Sequence, residues 1–96
     1  MVQKVHHIDA AKELAEIPNL GPATIRDLAK LGIRCPADLR DADPKTLYDR
    51  LCLIDGMHHD PCVLDVLMAV CDFAQGQPPA HWSVFTLKRK ALWPNL

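Results

Sequence analysis

Aromatic residues make up only 5% of this chain, so its core has to be filled by Leu, Ile, Val, Ala, Met and Cys. Long apolar runs are missing as well. The longest, residues 62–74, is broken by Asp65 and Asp72 and falls short of the ~18 residues that span a bilayer. The first ten residues hold no apolar block of the secretory kind. A cytoplasmic location is therefore expected, with the four cysteines kept as thiols. A large net charge is absent too. The formal value is −1, which excludes a polyanion binder that is basic all over. There is no Gly-rich phosphate loop ending in Lys, no nucleophile elbow and no paired-His zinc-protease motif. The expectation is a protein that is not an enzyme and holds no cofactor.

What is present describes one globular domain. The 96 residues are 49% hydrophobic and 24% charged, ordinary values for a folded chain. A chain of this length buries about 64% of its surface. Charge is placed unevenly. Residues 35–72 carry three basic against eight acidic side chains, whereas residues 73–96 carry Lys88, Arg89 and Lys90 and no acid. A contact with nucleic acid must then use a local surface.

The sequence reads as all-α, a compact bundle of about five helices. Asp9 is placed to cap a first helix over residues 9–16, with Ala11, Leu14 and Ala15 inward and a Lys12–Glu16 pair outside. Pro22 fits the first turn of a second helix. Ile25, Leu28 and Leu31 form its buried stripe, and Gly32 ends it. A short turn starts at Pro36. Asp43-Pro44 and Asp60-Pro61 are matching start signals, a capping Asp followed by Pro. The helix between them turns Leu47, Leu51 and Ile54 inward and closes at Gly56. The helix from Pro61 to about Gln75 is apolar nearly all round, which marks it as central and buried. Residues 76–79 break the chain. A last short helix starts at Thr86, with Trp82, Phe85, Leu87 and Trp93 available for docking. The expected organisation is an N-terminal segment at 1–8, a domain at 9–76 and a C-terminal extension at 77–96.

Ile17-Pro18-Asn19-Leu20-Gly21-Pro22-Ala23, followed by a helix that ends in Leu31-Gly32-Ile33, resembles the helix-hairpin-helix motif. The typical hairpin reads apolar-Pro-Gly-apolar-Gly-Pro, and here Asn19 replaces the first Gly. Asn is the residue after Gly that best tolerates positive φ. Gly21 is expected to let the chain turn sharply and another backbone approach closely. The open N–H groups of the following helix make an anion site, reinforced by its dipole. The resemblance implies binding to the DNA sugar-phosphate backbone without base reading. The expected contacts are Asn19, Leu20, Gly21, Ala23 and Thr24, with Arg26 and Lys30 reaching flanking phosphates.

Residues 31–70 look like the linker and second half of a tandem helix-hairpin-helix (SAM-domain-like) fold. The second hairpin, beginning Ile54-Asp55-Gly56-Met57, is degenerate, because His58-His59-Asp60 stands where the second Gly belongs. Its surroundings are acidic, and it is expected to pack rather than to hold phosphate. Pro36-Ala37-Asp38-Leu39-Arg40, Leu47-Tyr48-Asp49-Arg50-Leu51-Cys52, Asp60-Pro61-Cys62-Val63-Leu64-Asp65-Val66 and Arg89-Lys90-Ala91-Leu92 resemble the bacterial pathogenicity-locus family. These are small helix-hairpin-helix proteins, some labelled mitomycin-resistance proteins. The resemblance implies a bacterial DNA-binding role and no known reaction.

Cysteine and histidine are zinc ligands, yet no paired C-x₂₋₄-C spacing occurs, and no metal site is expected. Cys35, Cys52 and Cys71 read as small core residues. Cys62 lies in a first helical turn, where the dipole lowers a thiol pKa and Asp60 opposes it. His6-His7 reads as an exposed pair without function. Lys88, Arg89 and Lys90 are candidates for auxiliary phosphate contacts. Asp38, Asp41 and Asp43 lie at the spacing of a glycosylase aspartate, but turn and cap positions account for them.

The function expected from the sequence is sequence-independent DNA binding through residues 18–23, accessory to DNA repair or stress response. The alternatives are a protein-interaction module with the same fold and a thiol redox role at Cys62. DNA is the expected partner, with a protein partner as the other possibility, and neither a membrane nor a small-molecule substrate.

Overall fold

Proline opens each of the three longer helices of this computed structural model, which describes residues 2–96. These are α1 (Pro22–Lys30), α2 (Pro44–Asp55) and α3 (Pro61–Ala74). The first helical turn needs no N–H at that point. Asp43 accepts from the Thr46 amide at 2.9 Å and Asp60 from the Cys62 amide at 2.8 Å, which closes the starts of α2 and α3. All three helices end alike. Gly32, Gly56 and Gly76 take φ of +83°, +64° and +100°. The next amide then returns five residues, Ile33 to Leu28, Met57 to Cys52 and Gln77 to Asp72. These are Schellman closures. A short α4 (Thr86–Leu92) follows, and 3₁₀ turns at Ile8–Ala10, Leu14–Glu16, Pro36–Leu39 and Trp82–Phe85 fill the connections. No strand occurs among the described residues.

α3 is the axis of the fold. Leu64, Leu67, Val70 and Phe73 are fully or almost fully buried in it. α2 packs along one side, and the Trp82–Phe85 turn with α4 along another. Leu14, Ile17, Leu20 and Leu28 close the core from the N-terminal side. The radius of gyration is 12.6 Å, against about 12.5 Å for a compact domain of this length.

Six expectations need correction. The described residues form four α-helices and four 3₁₀ turns rather than about five helices. The helix expected over 9–16 is replaced by two of those turns. The Glu16 carboxylate takes the amides of Lys12 and Glu13, at 2.7 and 3.0 Å, and so diverts them from helical carbonyls. His7, not Asp9, caps the first turn, accepting from the Asp9 amide. Ile54 is half-exposed, while Tyr48 joins Leu47 and Leu51 inside. The inward face of α2 runs through 48, 51 and 55 at helical spacing, and Asp55 occupies its last turn. Leu87 points to solvent. Cys35 is exposed and Cys52 half-buried, so only Cys71 is a core thiol.

Candidate functional site

The turn before α1 is shaped by Asn19, not by Gly21. Asn19 has φ of +73°, the only positive φ outside glycine among the described residues. Gly21 has φ −108° and ψ 177°, ordinary extended backbone. A Cβ at position 21 would meet no atom within 4 Å. No packing inside the protein therefore demands glycine there. What glycine leaves is open space over the start of α1.

That start is uncapped. Gly21 supplies no side-chain acceptor, and the amides of Gly21, Ala23 and Thr24 find no partner among the described residues. Ala23 is exposed and Thr24 half-buried. Arg26, one turn on, is exposed and takes part in no ion pair among the described residues. Unbonded amides at a helix start carry the positive end of the dipole. With Arg26 one turn on, they give the start of α1 a locally positive character on a protein of nearly neutral charge.

Three other expected contacts are occupied. Asn19 donates its amide to the Ala80 carbonyl at 2.8 Å and accepts from the Trp82 amide at 3.1 Å, so its side chain holds the C-terminal segment. Leu20 is buried, and its amide bonds the Ile17 carbonyl. Lys30 pairs with Asp55 at 2.9 Å and Asp27 at 3.4 Å. The hydrogen bond with Asp55 raises the Lys30 pKa, and the same bond, with His59 second, holds the Asp55 carboxyl below its usual range. Lys30 thus joins α1 to α2 and is not free for phosphate.

Lys4 is a contributor that sequence reasoning missed. Its Nζ donates to the carbonyls of Ala15 and Leu20 at 2.7 and 2.5 Å, and burial lowers its pKa. It braces the turn from behind and brings a cation to it. No local signal points to it, since Ala15 and Leu20 lie 11 and 16 residues away.

The C-terminal basic cluster divides. Arg89 is buried, and its guanidinium meets Asp65 of α3 with Nε on Oδ1 at 2.8 Å. It is a structural ion pair and not a phosphate contact. Lys88 and Lys90 remain exposed. Cys62 is also exposed, but the hydrogen bond with Asp60 raises its thiol pKa. That direction is contrary to what a reactive thiol requires.

The region expected as a second hairpin differs from the first. Gly56 ends α2, the Tyr48 hydroxyl donates to the His59 carbonyl, and the His59 amide donates to Cys52 Sγ at 3.4 Å. Asp60 then fills the start of α3. No group of three or more potential metal ligands occurs among the described residues, and no helix is long and apolar enough to cross a membrane.

Fold and site together define a small all-helical protein built around one apolar helix, with unbonded amides at the start of α1. The chain belongs to the pathogenicity-locus family, whose profile matches residues 7–91. It is similar to the mitomycin resistance protein McrB of Streptomyces lavendulae, with 39% identity over 80 residues that cover 83% of this chain and 76% of that protein. No solved structure matches the chain. Two of the segments that carry the family resemblance have structural roles here. Asp60 caps α3, and Asp65 binds Arg89.

Proposed function

We propose that this protein binds DNA without regard to sequence, holding a backbone phosphate at the start of α1. One contrast carries the reading. α2 and α3 are each closed by an aspartate, whereas α1 begins with an open glycine and unbonded amides. A capping Ser or Asp would be favoured at such a position if stability alone mattered. In this reading residues 17–31 are a helix-hairpin-helix unit whose Asn19 serves as the left-handed residue. Residues 54–60 are the degenerate partner of a tandem, SAM-like arrangement, with a carboxylate where a phosphate would sit. The contacts are Gly21, Ala23, Thr24 and Arg26, with Lys88 and Lys90 as outlying cations. The protein acts in the cytoplasm as a non-catalytic accessory of repair or stress response.

Gly21→Asp tests this. An aspartate suits the observed backbone and caps α1, so stability should hold or rise. It also puts a carboxylate where the phosphate binds. Anisotropy with labelled duplex should show salt-sensitive binding with a Kd of about 10⁻⁶–10⁻⁴ M. The variant should lose that binding with its far-UV helical signal intact. Equal binding by both proteins, or none by the parent, overturns the reading.

A protein-interaction role is the second reading, because Leu53, Ile54 and Met57 stand exposed together at the end of α2. Leu53 and Met57 border a groove that Tyr48, Cys52 and Leu96 also line. Leu53→Asp should remove any partner that uses this face and leave DNA affinity unchanged.

A further inference from the structure

Asn19 joins the turn before α1 to the segment around Trp82. Its Nδ2 donates to the Ala80 carbonyl at 2.8 Å and its Oδ1 accepts from the Trp82 amide at 3.1 Å. Asn19 is two residues from Gly21, at most about 7 Å along the chain. The backbone of Trp82 is therefore fixed to the turn that leads into the amides assigned above to phosphate. His81 stands next to it, with ring centroids 5.2 Å apart and planes inclined by 34°. The imidazole is itself held, since Nδ1 accepts from the Ser83 amide at 3.2 Å and lies 2.8 Å from the Ser83 hydroxyl.

These rings are not core residues. Phe85 and Trp93 are among the partly buried side chains packed on the core, and Trp82 is not. Trp82 is half-buried and His81 exposed. A tryptophan fixed by its own backbone, paired with an ordered imidazole and left off the core, has the character of a recognition surface. Base–aromatic stacking is sequence-tolerant, because every base has a π-face. It suits a protein whose other contacts are to the sugar-phosphate backbone. Inside a duplex those base faces are covered by their neighbours, whereas an unpaired base in a single-stranded extension offers one.

We propose that His81 and Trp82 form a stacking platform for an unpaired base next to the phosphate held at α1, so that the preferred ligand is duplex DNA with a single-stranded extension. The proposal rests on the DNA reading above.

The test compares a blunt duplex with the same duplex carrying a short single-stranded extension, by anisotropy and by tryptophan emission. A Trp93→Phe background leaves Trp82 as the only tryptophan. The extension should raise affinity about fivefold or more and quench Trp82 emission. Trp82→Leu should lower the affinity for extended DNA to the blunt level and leave blunt-duplex affinity unchanged. Trp82→Phe should keep part of the preference, a rescue that a purely structural role would not give. No gain from the extension, or an equal loss on both DNAs in Trp82→Leu, overturns the platform. If blunt duplex still binds and Gly21→Asp still abolishes that binding, the phosphate reading stands alone. If the parent binds neither DNA, both readings fall.

Discussion

Arg89 meets Asp65 inside the protein through two hydrogen bonds, Nε to Oδ1 at 2.8 Å and Nη2 to Oδ2 at 3.3 Å. The Thr86 hydroxyl adds a third at 2.8 Å. Asp65 is fully buried, and no buried side-chain polar atom among the described residues lacks a partner. The pair fastens α4 to α3. Arg89→Ala leaves the carboxylate buried beside one hydroxyl and should destabilise by about 3–5 kcal/mol. Replacing both charges, Asp65→Leu with Arg89→Met, should restore most of that loss, since apolar replacements of buried pairs are often neutral. Urea midpoints of the three proteins check the order.

Asn19 does two separable things, and substitution should divide them. Asn19→Gly keeps the left-handed backbone at no steric cost and loses both bonds to the C-terminal segment. Stability should fall by about 1–2 kcal/mol, and the Trp82 amide should exchange with solvent faster. Asn19→Ala adds the cost of a left-handed alanine, about 1–2 kcal/mol more. Hydrogen exchange and denaturant unfolding should rank the parent first, Asn19→Gly second and Asn19→Ala last.

Cations that look equivalent on α1 should differ in salt dependence. Arg26 is unpaired, so Arg26→Gln should reduce the slope of log affinity against log salt by about one. Lys30 is held by Asp55 and Asp27. Lys30→Gln should leave the slope unchanged and lower stability slightly. A matching slope loss in both variants would mean that DNA draws Lys30 away from its carboxylates.

Stability should decline on the alkaline side. Burial pushes the Tyr48 hydroxyl up to about 12 and the Cys71 thiol up to about 12. Both groups keep their protons longer in the folded chain than in the unfolded one. The stability they contribute is complete below their ordinary values near 9 for Cys71 and 10 for Tyr48. It is lost as pH rises through that window toward 12. Tyr48→Phe should be less stable at pH 7, since the His59 carbonyl loses its donor. It should also show a shallower decline above pH 10, with the Cys71 part left. Thermal melts from pH 7 to 11 check both.

Much of the fold was legible because its signals are local. Each Asp-Pro pair marks a helix start, and Gly32 and Gly56 stand where their helices end. The first helix misled because Glu16 captures two backbone amides that composition assigns to a helix. In the candidate site, Gly21, Ala23, Thr24 and Arg26 came from contiguous sequence. Lys30 looked free because Asp55 lies 25 residues away. Arg89 could have been recognised as the odd member of its cluster. Three consecutive helical residues spread over about 200°, so Lys88, Arg89 and Lys90 could not all face outward from a docked helix. The side-chain bonds of Asn19 had no sequence signal, since they span 61 and 63 residues.

That last separation gives the molecule an order of assembly. The left-handed turn at Asn19 leaves the ribosome 61 residues before the carbonyl that fastens it. At about 5–20 residues per second that interval is several seconds. A nascent chain made only as far as Gln77 carries α1 and α3 but leaves both polar atoms of Asn19 to water. The surface at the start of α1 thus reaches its final form only once residues 80–82 have joined it. Arrival of the Ala80–Trp82 backbone, rather than the folding of α1 itself, brings that surface to maturity.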